Sequence, residues 1–107
     1  MSLEKFIQRT EELTHLAMEQ GDDADSMFLS LSEELGELAA ALSSENGRKK
    51  RDLKEDSKIE SIDVAVTALS IYFAKGGTVE ELSELGMPKL EKWAKKLDAR
   101  GDWRLDD

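Results

Sequence analysis

The chain has 107 residues, one domain's worth covering 1–107, with room for a single modest core. It holds no cysteine, which excludes disulfides and thiolate metal sites and fits a reducing cytoplasm. A formal charge of -9, from 24 acids against 15 bases, argues against non-specific nucleic-acid binding, which runs on a lysine and arginine surplus. The N-terminal MSLEKFIQRTEEL is no signal peptide, and the longest uncharged run, residues 64 to 74, is shorter than the roughly 20 residues of a membrane span.

The breakers are Gly21, Gly47, Gly76-Gly77, Gly86, Pro88 and Gly101, and between them apolar residues recur at helical spacing. A first helix is expected from about Leu3 to Gln20, with Ser2 as its cap and Gly21 as its stop. A second is expected from about Ser26 to Ser44, with the stripe Phe28, Leu31, Leu35, Leu38 and Leu42. The charged connection ENGRKKRDLKED follows. A third helix is expected from about Ser57 to Lys75, opened by a Ser57/Glu60 capping box. Thr78 and Glu81 form a second capping box. A last helical region then runs to about Arg100, interrupted at Gly86-Met87-Pro88. No segment alternates with period two, so the expected fold is all-α, a four- to five-helix bundle.

Two pairs of acids stand out. On the second helix, Glu33 and Glu37 are four apart and Glu34 and Glu37 three apart, so each pair shares a face. Glu34 falls roughly 80 degrees from the centre of the leucine stripe, at the border of core and solvent. The third helix is apolar nearly all round, the mark of a central helix, yet it carries Glu60 and Asp63 one turn apart. Asp63 lies close to the line of Ile59 and Val66. A carboxylate there costs desolvation energy unless it is paired or holds a metal. Either pair alone reads as a solvated face or, for Glu60, a capping partner. Packed antiparallel, the two helices point four or five acids into one cleft, and hard cations such as Mg²⁺ take oxygen ligands of that kind.

The pattern Glu33-Glu34-x-x-Glu37, 22 further residues, then Glu60-x-x-Asp63 on an apolar helix resembles the MazG-like all-alpha nucleoside triphosphate pyrophosphohydrolases, relatives of dimeric dUTPases and phosphoribosyl-ATP pyrophosphatases. The resemblance runs from the second helix to the C-terminus and rests on EELGEL and IESIDVAVTAL. It implies that Glu34, Glu37, Glu60 and Asp63 hold Mg²⁺, with Glu33 assisting. The implied reaction is cleavage of a nucleoside triphosphate between its alpha and beta phosphates, giving the monophosphate and pyrophosphate. It further implies a homodimer or homotetramer, with the site built inside the assembly.

The last helix adds Lys89, Lys92, Lys96 and Arg100 at 3-4-4 spacing, opposite Leu90, Trp93 and Leu97. This face is either a phosphate-binding surface for the beta and gamma phosphates or the wet side of an amphipathic helix. Relatives often carry a Lys-Asn pair here, whereas this chain reads Lys96-Leu97-Asp98 and has its only asparagine at Asn46. Arg48-Lys49-Lys50-Arg51 reads as a solvated loop, with closure over a triphosphate as the alternative. Phe6, Phe28, Trp93 and Trp103 are the stacking candidates for a base. His15, the single histidine, cannot build a two-histidine di-iron site. The expected function is Mg²⁺-dependent house-cleaning of nucleoside triphosphates in the cytoplasm, with neither nucleic acid nor membrane as partner. The rivals are a non-catalytic helical interaction module and a specialist for dUTP, dCTP or phosphoribosyl-ATP.

Overall fold

The computed structural model of the protein describes residues 1–47 and 56–100. Among them are four helices and no strand: α1 (Leu3–Glu19), α2 (Ala24–Glu45), α3 (Ser57–Ala74) and α4 (Val79–Ala99). The all-α expectation therefore holds. The chain divides at Gly76-Gly77 into two compact units, the first containing α1 to α3 and the second α4.

Each helix starts where a short polar side chain can take an otherwise unmet backbone N–H. Ser2 accepts from Lys5 N at 3.1 Å, and Thr78 from Glu81 N at 3.2 Å. The second helix begins two residues earlier than the spacing implies. Asp23 accepts from Ser26 N at 2.8 Å while Ser26 Oγ accepts the Asp23 N–H at 3.0 Å, a reciprocal box. The expected Ser57/Glu60 box does not form. Asp56 caps α3 instead, accepting from Ile59 N at 3.0 Å, which leaves Ser57 and Glu60 to other partners. Gly21 and Gly76, with φ of 107° and 93°, end α1 and α3 in a conformation that side-chain-bearing residues rarely adopt.

The expected interruption at Gly86-Met87-Pro88 is corrected: α4 runs unbroken through Pro88. Proline's fixed φ is itself helical, and what it forfeits is the N–H that would meet the Glu84 carbonyl. Glu84 and Pro88 are both exposed, so water can take that carbonyl. The good helix formers of KLEKWAKKL and the Thr78 cap carry the helix across the defect.

Within the first unit, α1 and α2 each pack on α3 and not on one another. Glu45, the last residue of α2, accepts from Ser57 N and Ser57 Oγ at 2.8 and 2.6 Å. That double contact joins the end of α2 to the start of α3, as in an antiparallel hairpin. The buried apolar set among the described residues is small: Met27, Ala41 and Phe73. Phe73 is the bulkiest side chain fully withdrawn from solvent. Phe73→Ala is expected to cost about 3–5 kcal/mol of stability in urea unfolding. Pro88→Ala should act in the opposite sense, restoring a helical hydrogen bond and raising the melting temperature followed by circular dichroism.

Candidate metal centre

The face that α2 buries differs from its leucine stripe. Phe28, Leu35 and Leu42 of that stripe are exposed, while Met27 and Ala41 are buried and Leu31, Glu34 and Leu38 are half-buried between them. The buried line Met27, Leu31, Glu34, Leu38, Ala41 is rotated roughly 60 degrees from the leucine stripe. Ala41 is 0 % exposed, and a small side chain there lets two helix axes approach more closely than opposed leucines would. The rotation brings Glu34 from the border to within roughly 20 degrees of the centre of the buried face.

A comparable displacement occurs on α3. Ile59 and Ile62, expected in its main stripe, are exposed, whereas Glu60 is only 5 % exposed. The Asp56 cap and the Glu45–Ser57 contact set the start of α3 against the end of α2. Glu60, one turn into α3, then comes opposite Glu34 and Glu37. Carboxylate oxygens of Glu34, Glu37 and Glu60 lie within 4.8 Å of one another. The group grades from buried Glu60 through half-buried Glu34 to exposed Glu37, so it opens to solvent on the Glu37 side.

Three carboxylates at this separation repel, the more so with one of them withdrawn from water. The donor set is all oxygen and anionic, as hard divalent cations prefer. An octahedral Mg²⁺ with bonds of 2.0–2.1 Å spans about 4.2 Å between opposite ligands. The group is only slightly wider than that, and a small rotation of Glu37 closes the difference. The residues present therefore fit the ion.

Of the five acids singled out in the sequence, Glu33 and Asp63 lie outside this group. Glu33 is exposed, one turn before Glu37 at the open rim. Asp63 is half-buried, one turn beyond Glu60 on α3, where its backbone carbonyl accepts from Thr67 Oγ1 at 2.8 Å. Lys89, Lys92, Lys96 and Arg100 are all exposed along one side of α4 and its C-cap. His15 is exposed, as is Trp93 on α4. Arg48 to Arg51 and Trp103 lie outside the described residues.

Periodicity gave no hint of a second feature of the first unit. A cavity of about 420 Å³ opens between α1, the N-terminal half of α2 and the middle of α3. Phe6, Leu13, Met27 and Val66 line it together with hydroxyls from all three helices. Of the stacking candidates, Phe6 is on its wall and Phe28 is not. The signal that could have revealed it is the pair Thr10 and Thr14, four apart on α1, which are buried while Leu13 and Leu16 beside them are exposed.

No protein family, curated protein or solved structure matches the chain.

If the three carboxylates form a cation site, Mg²⁺ should raise the melting temperature of the wild type. Saturation at 100 times the dissociation constant corresponds to about 2.7 kcal/mol. Glu60→Gln is expected to abolish this Mg²⁺-dependent increment. A melting curve unchanged by millimolar Mg²⁺ would rule the site out.

Proposed function

We propose that the protein is a Mg²⁺-dependent nucleoside triphosphate pyrophosphohydrolase of the MazG-like kind, converting (d)NTP to (d)NMP and pyrophosphate. The observation that carries the reading is the convergence of Glu34, Glu37 and Glu60, from two helices, to within 4.8 Å. A solvated acidic face accounts for charges on one helix. It does not account for a glutamate 5 % exposed on a second helix and aimed at the first.

In this reading Glu34, Glu37 and Glu60 hold the cation, with Asp63 the fourth carboxylate along α3. When bound, Mg²⁺ would neutralise the acids and the triphosphate together, polarise the alpha phosphate and make water a better nucleophile. Glu33, on the open rim beside Glu37, orients the attacking water and takes its proton. Water attacks the alpha phosphorus, the bond from that phosphorus to the oxygen bridging to the beta phosphate breaks, and pyrophosphate leaves. Lys89, Lys92, Lys96 and Arg100 are proposed as contacts for the beta and gamma phosphates, since a row of cations meets phosphate oxygens through charge-assisted hydrogen bonds.

The assembly belongs to the proposal. Leu3, Leu13, Leu16, Phe28, Leu35 and Ile62 all remain exposed on the first unit. Apolar surface on that scale marks an interaction face, and a homodimer or homotetramer covers it with the chain's own complement. The same exposed residues support the rival reading of a non-catalytic helical interaction module, and turnover separates the two.

Pyrophosphate release from a panel of nucleoside triphosphates should require Mg²⁺ and vanish with EDTA. Glu37→Gln and Asp63→Asn are each expected to reduce kcat by at least about 100-fold while the circular dichroism spectrum stays helical. Full activity in both variants would refute the carboxylate assignment, and no turnover on any substrate would favour the interaction module. Sedimentation equilibrium is expected to give a mass two or four times that of the chain.

A further inference from the structure

The cavity beside the acid group has a chemical bias of its own. Its volume, about 420 Å³, falls within the roughly 300–1,000 Å³ of sites that hold small molecules. Its walls are apolar, and the protons of most of its hydroxyls are already engaged. Thr10 Oγ1 donates to the Phe6 carbonyl at 3.0 Å and Thr14 Oγ1 to the Thr10 carbonyl at 2.7 Å. Thr67 Oγ1 donates to the Asp63 carbonyl at 2.8 Å and Ser70 Oγ to the Thr67 carbonyl at 2.6 Å. A hydroxyl has one proton and two lone pairs. Each of these four therefore offers a ligand only acceptor capacity. Asp22 adds a further acceptor, and the lining cation Arg9 is directed to Glu12 at 3.1 Å.

The cavity and the acid group lie along the same seam. Ser30 and Met27 come four and seven residues before Glu34 on α2, and Val66 and Thr67 six and seven after Glu60 on α3. Because the two helices are antiparallel, both steps go the same way. At 1.5 Å per residue they reach the cavity about 6–10 Å from the carboxylates. Asp63 falls between. A sugar bridges a gap of that order between a phosphate and its base.

We infer that this cavity receives the base of a nucleotide and selects bases carrying an exocyclic amino group over their oxo counterparts. The inference rests on the triphosphate reading of the acid group. An amino group donates to the threonine oxygens, whereas an oxo group at the same place sets lone pair against lone pair and leaves buried acceptors unmet. The Phe6 ring on the wall supplies a face or edge for the base.

Two measurements test this. The first is kcat/KM for dCTP against dUTP and for ATP against ITP, pairs that differ in one amino or oxo group. The amino member is expected to be favoured by at least about tenfold, the worth of one hydrogen bond. Thr67→Val, which keeps shape and removes the acceptor, should bring the ratio to within about twofold. The second is calorimetric titration with deoxycytidine and deoxyuridine, which needs neither metal nor turnover. Tighter binding of deoxycytidine, lost in Thr67→Val, supports the inference even where no triphosphate is cleaved, an outcome that removes the pyrophosphohydrolase reading alone. Turnover without amino preference, or equal or absent binding of the two nucleosides, overturns the inference and leaves that reading in place.

Discussion

The arrangement of the first unit depends on where a buried carboxylate can be put. Glu60 lies in the seam between α2 and α3, 5 % exposed, with Glu34 and Glu37 across from it. A glutamate in mid-helix finds no donor in its own backbone, because the helical N–H groups around it are already taken. Whatever stabilises the charge must come from beyond that helix. A seam chosen for apolar contact alone would have opposed the leucines of α2 to the isoleucines of α3. Instead Leu35, Leu42, Ile59 and Ile62 face outward and the acids face inward. Hydrophobic burial favours the first arrangement, so the second is consistent with a site that the apolar packing serves rather than the reverse.

That choice shapes the rest of the unit. With α2 turned so that Ala41 and Glu34 meet α3, the buried apolar set reduces to Met27, Ala41 and Phe73. Because α1 packs on α3 and leaves α2, a cleft stays open between them with α3 as its floor. The leucines displaced from the seam form outward faces on α2 and α1. A small core, an open cleft and uncovered leucines are three results of one rotation, and burial against further copies of the chain would compensate all of them.

Helix existence was legible in the sequence, since breakers, caps and 3-4 spacing carry it directly. So was the pairing of Glu34 and Glu37 with Glu60, because two acidic pairs beside apolar stripes on neighbouring helices are hard to place otherwise. The rotation of α2 was not legible. Periodicity locates the bulkiest apolar stripe, while packing is also governed by how closely two axes can approach, and Ala41 weighs little in a hydrophobic count. The α3 cap was misread because Ser57 and Asp56 are both good caps, and Glu45 competes for Ser57 from a different helix. At Pro88 the reading assumed that a missing N–H ends a helix. On an exposed stretch water offsets that loss, and the run continues.

The two polar features of the seam solve the same problem in opposite ways. Thr10, Thr14, Thr67 and Ser70 enter partly buried positions by returning their protons to carbonyls of their own helices. This internal bond makes their burial inexpensive, and it also fixes what they can offer a visitor, which is lone pairs. The carboxylates have no such local solution. Their charge has to be met by a cation or by side chains from another element, and the site stays electrostatically incomplete until it is. A surface that only accepts therefore adjoins one that calls for positive charge. Bare phosphate suits neither, since it is anionic and rich in acceptors. A metal-bound nucleotide suits both, because the metal answers the acids and an amino group on the base answers the hydroxyls.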